Sequence, residues 1–212
     1  MILLIPIFAK KHSYNLTPKL PPPNVFVTVH IEDDTVIKNV NKIQQKLLSV
    51  DPRFNSTLQK LTSLHTTFDI FYIDRDHLQK AKTALEFAAT MSATHFGPLN
   101  ITFQRIETFD NITFVSRTNF GSKIVLTQYQ KKINEIFKSF GFMPQSKFKY
   151  KPHMTLAQLG HDHTELMHKW DFLLKNITKF GNFTPKKLQI CAISMARKDL
   201  YYPVLAEAYL PQ

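Results

Sequence analysis

"KYKPHMTLAQL", residues 149–159, sets a histidine two positions ahead of a threonine, with a proline before the pair and an apolar run after it. "SLHTTFDIFYI", residues 63–73, repeats the device with His65, Thr66 and Thr67. Both stretches read as β-strands, being rich in β-branched and aromatic residues. Side chains alternate faces along a strand, so His65 and Thr67 point the same way, as do His153 and Thr155. Number alone does not make the pairs a motif. With nine histidines and 29 Ser or Thr in 212 residues, roughly one His-x-Ser/Thr pair is expected by chance. Their weight comes from where they fall.

Working outward, "NVFVTVHI" (24–31) predicts a strand. "TVIKNVNKIQQKLLSVD" then puts Val36, Val40, Ile43 and Leu47 on one helical face. The first His strand follows, then a helix in "DHLQKAKTALEFAATM" with Asp76 as its N-cap. "LNITFQRIETF" and "NITFVSRT" predict two short strands joined by a hairpin at Asp110-Asn111. The order then begins again. A helix carries Ile133, Ile136, Phe137 and Phe140 at helical spacing and stops at Gly141. The second His strand comes next, followed by a helix over 162–177 with Asp162 and Glu165 as a capping box. "KKLQICAISMAR" and "YYPVLAEAYL" predict two last strands. A unit of helix, His strand, helix and strand pair thus occurs twice, and the two His-x-Thr pairs hold equal places in it.

Composition sets the frame. The chain is one domain, 24–212, of two lobes at roughly 24–118 and 119–212, a division that leaves room for strand exchange, after an extension over 1–23 that ends in "LPPPN". It is 43% hydrophobic with 18 Phe, enough for a sizeable core. A net charge of +11 fits an anionic ligand, a nucleic acid or a membrane surface, and also a solvated basic surface. Cys191 is the single cysteine, which excludes an internal disulfide and reads as core in its apolar run. The apolar start is too short for a membrane span and lacks the basic flank of a signal peptide. Asn15, Asn55, Asn100, Asn111, Asn176 and Asn182 each open Asn-x-Ser/Thr, and without a signal peptide they read as unglycosylated. These features predict a cytoplasmic or nuclear monomer.

Two imidazoles facing each other across a cleft suit an in-line attack on phosphorus. One takes a proton from the attacking oxygen and the other gives one to the leaving oxygen. The hydroxyls of Thr67 and Thr155 can hold the non-bridging oxygens. Histidine suits both roles because its ordinary pKa lies near neutrality. No metal or cofactor is required.

"FVTVHI", "SLHTTFDIFYI", "FKYKPHMTLAQL" and "ICAISMARKDLYYPVLAEAYL" together resemble the 2H phosphoesterase superfamily, and within it the central domain of the A-kinase anchoring protein gamma type, over about residues 24 to 210. The resemblance implies an α+β fold in which each lobe is an antiparallel sheet flanked by helices, with a cleft between. It implies hydrolysis or binding of 2′,5′-linked oligoadenylate, cyclic or RNA-like phosphodiesters. His65, Thr67, His153 and Thr155 are the motif residues that carry over, and Tyr150 takes the place of an aromatic that stacks on a base. An anchoring role does not carry over, because the chain ends at Gln212 with no kinase-binding helix beyond the domain.

Beside these, "KFKYKPH" interleaves Lys149 and Lys151 with Phe148 and Tyr150, a pattern that suits nucleic acid and equally an edge strand guarded by lysines. "SMARKDLYYP" offers Arg197, Lys198 and Tyr201 to a phosphate or base at the cleft mouth, or a solvated hairpin. His161, His163 and His168 lack a fourth ligand at zinc spacing, so no metal site is assigned. The reading is a metal-independent phosphodiesterase whose partner is a nucleotide or oligonucleotide, with neither duplex DNA nor a membrane involved. The alternative is a nucleotide- or RNA-binding module that keeps the cleft without turnover.

Overall fold

A computed structural model describes residues 20–109, 113–159, 166, 179–193 and 201–212. Its elements are β1 (Val25–His30), α1 (Asp34–Val50), β2 (His65–Phe71), α2 (Leu78–Phe96), β3 (Ile101–Phe109), β4 (Thr113–Thr118), α3 (Phe120–Ser139), β5 (His153–Gln158), β6 (Gly181–Phe183), β7 (Lys187–Ala192) and β8 (Val204–Tyr209). They form two antiparallel four-stranded sheets, ordered β2-β1-β7-β8 and β5-β4-β3-β6. The expected α+β architecture of two sheet-bearing lobes is what the chain adopts. The hairpin β3-β4 from the first half lies beside β5, and the last hairpin β7-β8 lies beside β1. Each sheet therefore contains strands from both halves of the chain.

The helix faces follow from periodicity. Val36, Val40, Ile43 and Leu47 of α1 are all buried, as are Leu126, Tyr129, Ile133, Ile136 and Phe137 of α3. Phe54, Phe68, Phe71, Phe103, Phe114, Phe137 and Phe180 are fully buried, each contributing about 1.5–3 kcal/mol of transfer free energy. Gly141 ends α3 at φ +87°. Its N–H reaches the Lys138 carbonyl and the Phe142 N–H reaches the Phe137 carbonyl, which closes the helix in a Schellman motif.

The sequence reading of the start of α2 is corrected. A 3₁₀ turn at Arg75–His77 precedes the helix; Asp74, not Asp76, caps that turn by accepting from the His77 N–H at 3.0 Å, and α2 itself starts after His77 with no side-chain cap. Asp74 comes first in the chain and so reaches the orphan donor of that tighter turn. β6 was not anticipated: it is three residues long and opens with Gly181, whose missing Cβ lets α1 approach, since a Cβ there would lie 3.1 Å from Val36 Cγ2. The extension over 1–19, the Asp110-Asn111 turn, the helix expected over 162–177 with His161, His163 and His168, and Arg197 and Lys198 lie outside the described residues. Among the described residues no helix is long and apolar enough to cross a membrane.

The two His strands share an irregularity. β2 pairs with β1 through Thr67↔Thr28 and Asp69↔Val27, leaving Phe68 as an extra residue. β5 pairs with β4 through Thr155↔Val115 and Ala157↔Phe114, leaving Leu156 extra. Each strand thus bulges one residue after its threonine. A bulge re-aims the side chains around it, here letting two successive residues, 68–69 and 156–157, turn inward together.

Candidate active site

His65 and His153 each open a strand, and each is half-buried with its threonine on the same face. The intervening residues, Thr66 and Met154, are buried. The middle residue of the first motif also reaches the other sheet on its buried side, since Thr66 Oγ1 donates to the His153 carbonyl at 3.1 Å. That bond ties the two motifs together. A second tie runs along the open edge of β5, where Gln59 N–H reaches the Leu156 carbonyl and Gln158 N–H the Thr57 carbonyl.

Both imidazoles are oriented alike. His65 Nδ1 lies 2.8 Å from the Ser63 carbonyl, and His153 Nδ1 lies 2.7 Å from the Lys151 carbonyl. In each case the acceptor is the carbonyl two residues earlier. A carbonyl only accepts, so each Nδ1 carries the proton and each Nε2 is left to work. Burial lowers the His65 pKa from 6.5 to about 4, assisted by the charges of His153 and His30 and opposed by the Ser63 bond. Burial also lowers His153, with the Arg117 charge assisting and the Lys151 bond opposing. Both imidazoles are therefore neutral in the free protein at pH 7, whereas the ordinary pKa used in the sequence reading leaves both forms populated.

The neighbours come from the paired strands. His30 stands opposite His65, and Arg117 stands opposite His153. Each has a glutamate: His30 Nδ1 is 3.3 Å from Glu32, and Arg117 Nε is 3.2 Å from Glu107. Phe109 carries the His153 ring on its edge at 4.8 Å, with Arg117 and Lys151 over its face at 5.4 and 5.5 Å. On the other side, Phe26 and Tyr202 each hold the His65 ring at 5.3 Å.

A cleft of about 480 Å³ opens beside the motifs, lined in part by Thr67, His153, Lys149, Tyr150, Lys151 and Phe109. Thr155 lies two residues from His153 on the same strand face. Tyr201 stands elsewhere, stacked on His30 with centroids 3.7 Å apart and lining a separate cavity of about 330 Å³ with Lys187, Gln189 and Glu207. Cys191 is buried as expected, and burial pushes its thiol up to about 11. Sequence reasoning missed Phe109, Arg117, His30 and Tyr202. The last is adjacent to a residue it did select, His30 and Arg117 sit opposite the motifs only through strand register, and Phe109 reaches the His153 ring from β3, which does not pair with β5. Among the described residues no cluster of His, Cys, Asp or Glu is arranged to hold a metal ion.

The Tyr150 ring is half-buried and lies nearly parallel to Phe68, with centroids 6.4 Å apart. Its hydroxyl is buried without a hydrogen-bond partner, and burial raises its pKa. An unpaired buried hydroxyl is destabilising. Tyr150→Phe is thus expected to raise stability by about 1 kcal/mol and to leave ligand affinity unchanged. Tyr150→Ala removes the ring and weakens binding of an adenine nucleotide by about 1–3 kcal/mol. Thermal melts and calorimetric titration check both, and a Tyr150→Phe protein that melts lower contradicts the first.

Two antiparallel sheets, each with a strand that opens on a His-x-Thr pair, and a cleft lined by Thr67 of one pair and His153 of the other, define the 2H phosphoesterase class. The profile of the "AKAP7 2′5′ RNA ligase-like domain" matches residues 23–210, and the chain belongs to that family. Solved structures agree on the fold. Escherichia coli LigT complexed with ATP aligns at a TM-score of 0.62 with 13% identity, over 91% of this chain and 100% of that one. TT0787 of Thermus thermophilus aligns at 0.62 with 17% identity, over 88% and 97%. The MHV ns2 PDE domain aligns at 0.52 with 18% identity, over 65% and 84%. A search of curated proteins by sequence gives no match.

Proposed function

We propose that the protein is a metal-independent phosphodiesterase that cleaves 2′,5′-linked oligoadenylate or a related cyclic or RNA-like phosphodiester. The observation that carries this reading is the matched orientation of the two imidazoles, each with Nδ1–H held by the carbonyl two residues before it and Nε2 left for proton transfer. One Nε2 takes the proton of the attacking oxygen as the new P–O bond forms. The other imidazole, protonated, gives its proton to the leaving oxygen as the old P–O bond breaks. Thr67 and Thr155 donate to the non-bridging oxygens, where negative charge builds. Tyr150 and Phe109 offer faces for a base. Lys149, Lys151 and a net charge of +11 draw in a polyanion.

The test is incubation with a panel of 2′,5′-oligoadenylate, 3′,5′-oligoadenylate, 2′,3′-cyclic AMP and cyclic GMP-AMP, with and without EDTA. Hydrolysis of the 2′,5′ bond is expected, with rates in chelator within about twofold of the control, because the proton transfers and the charge stabilisation come from side chains. Loss of activity in EDTA, restored by zinc or manganese, overturns metal independence. Binding of 2′,5′-oligoadenylate without turnover of any panel member supports the nucleotide-binding module instead.

A further inference from the structure

Asp69 lies four residues after His65 in the lining of the cleft, and it is only 4% exposed. The proton transfers described above do not use it. A buried carboxylate is costly unless it is saturated with hydrogen bonds or paired with a cation. Asp69 is saturated by four uncharged N–H donors. Its Oδ1 accepts from the backbone of Ile70 at 2.9 Å and of Ser146 at 3.2 Å. Its Oδ2 accepts from Gln130 Nε2 at 3.0 Å and from Asn134 Nδ2 at 2.7 Å, both on α3.

These donors come from three parts of the fold. One is the segment between α3 and β5. Gln145 N–H adds a bond to the Ile70 carbonyl at 2.9 Å. Segment 145–151 has no helix or strand of its own. It nevertheless carries Phe148, Lys149, Tyr150 and Lys151 into the cleft lining. Its start is thus fixed to β2 by two bonds, one of them to Asp69. At the equivalent place after His153 the chain has Ala157, which cannot make such a clamp. The device belongs to one lobe only.

We propose that Asp69 is a positioning residue: with Gln130 and Asn134 it clamps segment 145–151 so that Tyr150 and its flanking lysines grip the nucleoside on the His153 side of the diester. The identity of that ligand rests on the phosphodiesterase reading, whereas the clamp itself does not.

Asp69→Asn is the direct test. It keeps the shape and turns one acceptor oxygen into a donor that faces donors. Amide exchange at Gln145 and Ser146 is expected to rise at least about tenfold, with exchange in β1 and α2 unchanged, as local opening predicts. KM for 2′,5′-diadenylate should rise about tenfold while kcat changes less than about threefold, because His153 is held independently by β4 and by Thr66. Unchanged exchange in the segment, or a fall in kcat with KM unaltered, overturns the proposal.

If Asp69→Asn fails to fold, Asn134→Ala decides. It withdraws one donor from α3, and about a threefold rise in KM with faster exchange at 145–146 is expected. The same values as wild type overturn the clamp. If the wild-type protein hydrolyses no diester, the phosphodiesterase reading fails. The clamp is then judged by exchange together with calorimetric affinity for 2′-AMP, which should fall about tenfold in Asp69→Asn; unchanged affinity overturns it.

Discussion

Alanine at His65 or at His153 is expected to lower kcat about 10²–10⁴-fold, the usual contribution of a general acid or base. Substrate affinity should survive, because Tyr150, Phe109, Lys149 and Lys151 remain in the cleft lining. Both histidines are half-buried at strand ends, and their Nδ1 bonds go to nearby carbonyls of their own segments. Their truncation therefore leaves the sheet pairing intact, and a thermal melt checks that it does. The double variant should lose little more than the worse single one, since acid and base act in one transfer and half of the pair supplies little alone. The measurement is kcat and KM for wild type, both single variants and the double. Folded single variants with near-full kcat rule out paired-imidazole catalysis.

The pH dependence carries the second large effect. In the free protein both imidazoles titrate below 6.5, His65 at about 4 and His153 also lowered. The active form has one protonated and one neutral, and its two apparent pKa values belong to the pair. The sign follows directly. As pH rises above the higher of these values the proton donor is lost, so kcat/KM falls about tenfold per unit on the alkaline side. Its maximum lies below pH 6.5. A bound phosphodiester anion favours the imidazolium, so the alkaline limb of kcat should stand at higher pH than that of kcat/KM. Arg117, Lys151 and His65 are the cationic or titratable groups around His153, with Glu107 paired to Arg117. Arg117→Gln withdraws the fixed cation and should move the limb that reports His153 upward. The check is kcat and kcat/KM from about pH 4 to 9 for wild type and this variant. A rate that climbs steadily across that whole range removes imidazolium from the mechanism.

Much of the site was legible because it is local. Strand parity placed His65 with Thr67 and His153 with Thr155 before any fold was known. The helical period gave the buried face of α1 and, through Ile133, Ile136 and Phe137, that of α3, whereas Phe140 is half-buried at the C-cap just before Gly141. Tyr150 was named through the family resemblance, which implies an aromatic three residues before the second histidine. The cap ahead of α2 was missed because two aspartates, Asp74 and Asp76, both suit a helix start, and the chain enters α2 through a 3₁₀ turn that Asp74 caps.

What escaped the sequence is what depends on register between distant segments. His30 and Arg117 carry no mark of their own, and they stand beside the two histidines because β1 pairs with β2 and β4 with β5. The Thr66 bond to the His153 carbonyl crosses 87 positions of chain, and the Asp69 bonds to Gln130 and Asn134 cross 61 and 65. The lowered imidazole pKa values arise from desolvation, which only packing produces. The sequence by itself determined which side chains share a face, since that follows from backbone periods of about two and 3.6 residues. The tertiary structure decided which faces meet, and with them the charge and burial at each imidazole, because both depend on neighbours that chain order does not bring together.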